Sequence, residues 1–471
     1  VVKKDKPFPT RALRRSLSVS MAGLRAGGAL AVDSAMSRVL GRSEDDPQSE
    51  FARREAQRFA EELGRLKGTY VKIGQMLALF GEHFLPPVLV EALRNLSDAT
   101  EPLHWDALES FVRGSLGPVF DELEIDPEAI AAASLAQVHL AKVRHTGEWI
   151  CIKVQYPGLA QMIDSDFDAV VKMLVLARWV KSGRDLDDWM QSLRTHLHNE
   201  IDYRREARLT VAMAERVSGH EMDGVRYHVP ELYPRFCSTE VLAMEYIEGY
   251  SVVEEEVAAL SQTRRNALGR AMLELFFCEL YDWGMLQTDP NFGNYLLCLD
   301  DRRRKEAHDV LALLDFGSVL DCSDDFLYHL RHTIAASQRG DEAAIVDGLT
   351  GLGCLQPDAS EEARRMFSDF CLHLLEPLRA PEKLPPEYLN DQGEYCWGRS
   401  RLMKRAGKQA AASAASRHFT TPSRDFALIA RKLTGVFNFI AVLDAQFNAC
   451  EMIEAHVAAW QEREQRGKKR R

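Results

Sequence analysis

The sequence predicts an α+β protein, and its 471 residues are too many for one small core, so two or three packed units are expected. Three observations lead there. Long stretches carry apolar residues at alternating spacings of three and four, the mark of helices buried along one face. Around Ala131 this gives way to an extended pattern: Ala131 to Val143 reads as strand, tight loop, strand, and Trp149 to Val154 as a further apolar strand. In the second half, two short polar loops follow apolar runs: Gln287-Thr288-Asp289-Pro290-Asn291-Phe292-Gly293-Asn294, and Asp315-Phe316-Gly317 after Leu313-Leu314.

Composition sets the class. A 46% hydrophobic and 27% charged chain is that of a globular protein. A net charge of -11 argues against nucleic acid as a partner, which needs a basic footprint. The nine cysteines form no C-x-x-C pair, which points to a reducing compartment without structural disulfides. No stretch has the apolar length of a membrane span, and there is no secretory signal, so a cytoplasmic protein is expected.

In chain order, residues 1–45 form a basic extension in which Leu13, Leu17, Met21 and Leu24 keep helical spacing, suited either to an anionic membrane surface or to docking on the body. Phe59, Leu63, Leu66, Tyr70, Ile73, Leu77 and Phe80 make one stripe on a long helix that Pro86-Pro87 should end. Lys72 and Gln75 share a face beside it, and read alone they are a solvated pair. Gly74 between them implies a close approach. Lys153 sits inside an apolar strand, where a lysine is costly unless it meets negative charge. Two helical patterns lie between Gln155 and Ile201. Beyond them, Asp202 and Glu206 are four apart and so share a helical face, while Glu200 points elsewhere unless the helix bends; for Glu200 and Asp202 a solvated helix face is the alternative. His196 and His198 diverge on their helix and are poor metal ligands together. Val241 to Gly249 reads as a strand, and Arg264 to Trp283 as a helix leading into the polar loop. Arg302 to Lys305 would be a hairpin tip, and helices between Phe426 and Trp460 close the chain.

Two carboxylates and an amide on neighbouring loops are the parts needed to hold a divalent metal against nucleotide phosphates. The spacing from Asp289 to Asn294 is that of the protein-kinase catalytic loop H-R-D-x-x-x-x-N, and Asp315 heads an intact D-F-G. The resemblance makes Asp289 the base or nucleophile-orienting group, and Asn294 and Asp315 the magnesium ligands. It makes Lys153 the phosphate lysine, with Glu206 its ion-pair partner. The hinge strand containing Glu245 and Ile247 would pair with adenine, and the loop Ala131-Ala132-Ala133-Ser134 would stand over the phosphates. Gln287 and Thr288 replace the kinase His and Arg, which points away from an ordinary protein kinase.

With Lys72-Ile73-Gly74-Gln75, the Ala-rich loop and Glu200-x-Asp202 added, the motifs follow the order seen in the UbiB family, the aarF-domain-containing kinases. The chain resembles the coenzyme Q branch in Val154-Gln155-Tyr156-Pro157-Gly158 and in its Gln-Thr-Asp-Pro opening. It departs at Ala136, where a Gly usually precedes Gln137, and at Phe292 and Gly293. The resemblance implies a bilobal protein-kinase-like fold with an N-terminal helical extension packed over the active-site cleft. The expected domains are the basic extension 1–45, a helical K-x-G-Q extension 46–127, an N-lobe with helical insertion 128–249 and a C-lobe 250–471. It further implies that Lys72 and Gln75 meet Glu200 and Asp202 at the nucleotide.

The implied function is an ATPase supporting coenzyme Q (ubiquinone) biosynthesis, using ATP/ADP and Mg2+, coupled to handling lipid-like quinone precursors at a membrane surface. The alternatives are a small-molecule kinase and a nucleotide-gated, non-catalytic lipid chaperone or assembly factor. Implied partners are coenzyme Q precursors or related phenolic lipids, an anionic membrane surface and coenzyme Q biosynthesis proteins. The implied location is peripheral, on the inner face of a membrane.

Overall fold

The computed structural model describes residues 50–66, 68–80, 85–96, 102–176, 179–180, 184–300, 308–406 and 424–470. The basic extension 1–45 and the expected hairpin tip Arg302 to Lys305 lie outside them. The chain packs as two compact units: Val1–Arg208 with Glu231–Tyr246, and Leu209–Pro230 with Ile247–Arg471.

The first unit opens with helices α1 (Glu50–Leu66), α2 (Thr69–Phe80), α3 (Pro87–Arg94) and α4 (Trp105–Leu116). The stripe expected on one long helix is buried as read, with Phe59, Leu63, Tyr70, Ile73 and Leu77 all in the core. The helix is not continuous, however. Gly68 has φ +61, a left-handed conformation that ends α1, and Thr69 starts a new helix with its hydroxyl on the buried carboxylate of Asp166. Pro86-Pro87 also does the opposite of what was expected: Pro86 is the N-cap and Pro87 the first residue of α3, where a missing N–H costs nothing. Gly74 allows helix packing. A Cβ there would lie 2.4 Å from Leu96 Cδ1 and 3.2 Å from Leu63 Cδ1.

Strands β1 (Leu123–Ala132), β2 (Ala136–Val143), β3 (Trp149–Gln155) and β6 (Val241–Glu245) form an antiparallel sheet in the order β1-β2-β3-β6. The period of two sends Ile150, Ile152 and Val154 of β3 into a core shared with Leu108 and Val112 of α4. Lys153 therefore stands on the other face. Helices α5 (Leu159–Leu176) and α6 (Arg184–Glu200) are the two helical patterns expected after Gln155, and they join the core of α1 to α3. Helix α7 (Tyr203–Val217) follows.

The second unit holds a mixed sheet, β4-β5-β9-β8, of β4 (Glu221–Met222), β5 (Val225–His228), β8 (Tyr295–Cys298) and β9 (Asp309–Leu313). Strand β5 runs parallel to β9, and β8 and β9 form the expected hairpin. Helix α8 (Gln262–Phe277) is buried nearly all round and continues as a π-helical segment, Cys278–Trp283. Gly284, at φ +64, then turns the chain into β7 (Met285–Gln287), which pairs with β10 (Val319–Asp321). Helices α9 (Asp324–Arg339), α10 (Glu342–Gly351), α11 (Glu361–Leu374), α12 (Arg424–Val442) and α13 (Cys450–Arg470) complete it. No helix of the described residues is long and apolar enough to cross a membrane.

Candidate functional site

In the first unit the tight turn after β1 is closed by Ala133 N donating to Ala136 O at 2.8 Å. Ala131 and Ala132 end the strand, Ala133 and Ser134 form the turn, and Tyr156 Oη donates to Ala133 O at 3.0 Å. Beneath this turn lies a buried polar group that sequence reading passed over. The Gln137 side chain accepts from Leu103 N at 2.8 Å, donates to Leu103 O at 3.1 Å and meets His139 Nε2 at 2.8 Å. His139 Nδ1 lies 2.8 Å from Asp126 O. These bonds pin the hairpin to the segment entering α4. Gln137→Leu should cost about 1–3 kcal/mol of unfolding free energy in a urea titration, because it strands both Leu103 polar groups.

Burial holds His139 below its ordinary histidine value, against the pull of the Asp126 carbonyl. The folded chain thus resists a proton that the unfolded chain accepts. Stability from this group is full above about pH 6.5 and declines as the pH falls below it. Melting temperatures taken from pH 7.5 to 5 should fall, and the slope should flatten in His139→Phe.

Lys153 Nζ donates to Glu206 Oε1 at 2.7 Å, with the Glu206 side chain 2% exposed and the Lys153 side chain 19% exposed. The lysine also lies 5.4 Å from the Tyr203 ring. Glu206 stands in the first turn of α7. Asp202 lies just outside that helix and caps it, accepting from Arg205 N at 2.9 Å. It does not share a helical face with Glu206, because the chain breaks helix at Ile201-Asp202. Lys72 Nζ reaches Glu200 Oε2 at 2.7 Å, and the pair is largely shielded from solvent. Gln75 Nε2 donates to Leu96 O at 3.3 Å. His196 and His198 do diverge, the first toward Glu200 and the second to Asp164. Glu245 ends β6, bonded through its N to Glu231 O and through Oε2 to Glu231 N. Ile247 belongs to the other unit, which the chain re-enters there.

In the second unit the polar loops come together. Leu314 N donates to Asn294 O at 2.9 Å, which extends the β8–β9 ladder and sets Asn294 beside the segment carrying Asp315. Asn294 Nδ2 donates to Asp289 O and to Asp289 Oδ2, both at 3.1 Å. Since nitrogen is the donor in both, oxygen is the atom this amide offers a cation. Asp315 Oδ1 accepts from Gly317 N at 2.8 Å. Carboxylate and amide oxygens on adjoining backbone form the hard donor set that Mg2+ takes.

Four supporting residues were missed. Arg431 Nη2 donates to Asp289 Oδ1 at 2.8 Å. Its neighbour Lys432, 1% exposed, lies 3.2 Å from Glu279 Oε2 and donates to Tyr295 Oη at 3.1 Å and to Gln287 Oε1 at 3.3 Å. Tyr295 Oη donates to Gln287 Oε1 at 3.1 Å, and Gln287 Nε2 to Asp289 O at 2.7 Å. Gln287, in place of the kinase His, thus passes a buried charge pair's hold on to the loop. Burial opposes charge on Lys432, but Glu279 and Tyr295 outweigh it and raise the lysine above its ordinary value. Arg431-Lys432 inside the apolar run Phe426 to Ile440 was the available signal, as a buried lysine requires a partner.

Comparison with known proteins gives the family and the fold. Residues 95–349 match the family model for the ABC1 atypical kinase-like domain. The chain is 28% identical over 324 residues to the atypical kinase COQ8, mitochondrial, of Saccharomyces cerevisiae, covering 68% of this chain and 62% of that protein. It is 26% identical over 411 residues to the probable serine/threonine-protein kinase abkA of Dictyostelium discoideum, covering 85% of this chain and 70% of that one. The solved complex of Rv3197 with erythromycin from Mycobacterium tuberculosis has the same fold, with a TM-score of 0.58 at 23% identity over 88% of this chain and 98% of that one. Its kinase-like α+β fold and the family match over more than half its length make this chain a member of the ABC1 atypical kinase-like domain family, the group of the COQ8/UbiB atypical kinases.

Proposed function

We propose that this chain is an atypical kinase-like ATPase that hydrolyses Mg-ATP in support of coenzyme Q biosynthesis, coupled to handling lipid-like quinone precursors at a membrane surface. The observation that carries the reading is the 2.7 Å pair of Lys153 with the buried Glu206. A strand lysine held straight by a helix carboxylate is the arrangement that presents an ammonium to α- and β-phosphates. The names of the COQ8 relatives support the pathway.

Asp289, steadied by Asn294 and Arg431, would orient the attacking water and take its proton at a carboxylate oxygen. Asn294 and Asp315 would hold Mg2+, which when bound neutralises charge on the transferring phosphoryl group. The turn Ala131 to Ser134 would cover the phosphates, and the backbone at Glu245 and Ile247 would meet adenine. Lys72, joined to Glu200, with Gln75 and Asp202 nearby in sequence, would limit what else reaches the nucleotide.

The test is Mg2+-dependent phosphate release by the full chain, with and without vesicles of anionic lipid and a phenolic quinone precursor. Release to water that rises with those additives is expected. Labelled phosphate on the precursor would replace this reading with a small-molecule kinase, and nucleotide binding without turnover would replace it with a chaperone. Lys153→Met should raise KM for ATP and lower turnover roughly tenfold or more, and because it leaves the buried Glu206 carboxylate without its cation the melting temperature should fall as well; adding Glu206→Gln should recover the melt but not the turnover.

A further inference from the structure

Glu274, in the last turn of α8, and Cys278, the first residue of its π-helical continuation, are four apart, so their side chains rise from neighbouring positions on one side. His456 of α13 meets them. Glu274 Oε1 lies 3.1 Å from His456 Nε2 and 3.7 Å from Cys278 Sγ, and one ligand atom from each of the three residues lies within 4.8 Å of the others. Ligands about 2.0–2.3 Å from a tetrahedral metal stand about 3.3–3.7 Å from one another, so the three donors are near enough to share one ion after shifts of a few tenths of an ångström to about one ångström.

A second observation concerns the other side of the imidazole. His456 Nδ1 faces Asp282 Oδ2 at 3.5 Å, and Asp282 Oδ1 accepts from Arg463 Nη1 at 2.8 Å. A metal-bound histidine characteristically turns its second nitrogen to a carboxylate, which fixes the tautomer and ring direction. The rings of Phe277 and Tyr281, centred 5.5 and 5.9 Å from the imidazole, flank it.

We propose that Glu274, Cys278 and His456 bind a borderline-soft divalent cation of the Zn2+ type, with Asp282 orienting the histidine and a water completing the tetrahedron. One thiolate, one imidazole and one carboxylate select Zn2+ or Co2+ over Mg2+ or Ca2+. The ion would tie α13 to α8, the helix whose continuation leads into β7 and the Asp289 loop. This site does not rest on the nucleotide reading. Without a metal, the same groups would be a charged His456 between two carboxylates, and Cys278 would then be dispensable.

The experiment uses the full chain, dialysed against a chelator and titrated with Co2+ alone and then with Zn2+. Expected are one equivalent of Co2+ with a sulfur-to-cobalt charge-transfer band, bleaching of that band by Zn2+, and a higher melting temperature on Zn2+ addition. Cys278→Ser should lose the band, and His456→Gln should weaken Co2+ binding at least about tenfold with an unchanged circular-dichroism spectrum. Absence of the band in wild type, or a band that persists in Cys278→Ser, overturns the proposal. Should His456→Gln fail to fold, Cys278→Ser alone decides, because a serine there leaves the His456 ion pairs in place.

Discussion

Asp315→Asn is expected to reduce Mg2+-dependent ATP turnover by roughly 10²-fold or more, on the order of 3–4 kcal/mol of transition-state stabilisation. The substitution removes the charge and keeps the side chain's size and one accepting oxygen. Oδ1 of Asp315 accepts the Gly317 N–H at 2.8 Å, and an asparagine oxygen can accept the same bond, so the turn after β9 should keep its shape. The hydrogen bond from Leu314 N to Asn294 O is backbone to backbone and does not involve the changed side chain. What disappears is the anionic oxygen a hard cation needs. The measurement pairs phosphate release with a thermal melt. Turnover within threefold of wild type, with an unshifted melt, would remove Asp315 from the proposed metal site.

The sequence made the elements legible wherever one physical constraint dominated. The strand-loop-strand from Ala131 to Val143 and the hairpin between Asn294 and Asp315 are present because period-two burial and turn residues leave few other solutions. The lysine in the apolar strand did announce a carboxylate, and Glu206 supplies it. What was illegible is where the chain breaks and what comes from afar. The stripe from Phe59 to Phe80 is continuous in apolar periodicity, but Gly68 takes a left-handed conformation within it, and periodicity does not register φ. Asp202 satisfies the four-residue rule with Glu206 yet sits at a cap, because the helix starts one residue after it and spacing alone does not register where a helix begins. Arg431 and Lys432 act on a loop more than a hundred residues earlier, and no local pattern pairs them with Asp289 or Glu279.

That distant support leads to the largest stability effect. Lys432→Met should destabilise the protein by about 3–5 kcal/mol, since it leaves the Glu279 carboxylate, 1% exposed, without its cation. Burial already pushes Glu279 up from the ordinary carboxylate range, so the variant can escape the lone charge only by protonating or opening. Lys432→Met with Glu279→Leu removes both charges and should recover most of the loss, because a buried pair and apolar residues of similar volume are close in stability. Urea unfolding of wild type, the two single variants and the double variant gives the coupling energy directly. A double variant no more stable than Lys432→Met would show that the lysine acts through packing.

Turnover should separate from stability in the same series. With Lys432 gone, Gln287 Oε1 and Tyr295 Oη lose a shared donor, and Gln287 Nε2 is the group that holds Asp289 O. The double variant, refolded to near wild-type stability, should therefore still release phosphate slowly. Gly435 offers an independent check on the same contact, because a Cβ there would lie 2.0 Å from Pro290 Cβ. Gly435→Ala leaves every charge in place and forces α12 and the loop apart. Slow turnover in both variants would mean that it is the seating of the Asp289 loop on α12, and not the buried charge, that activity requires.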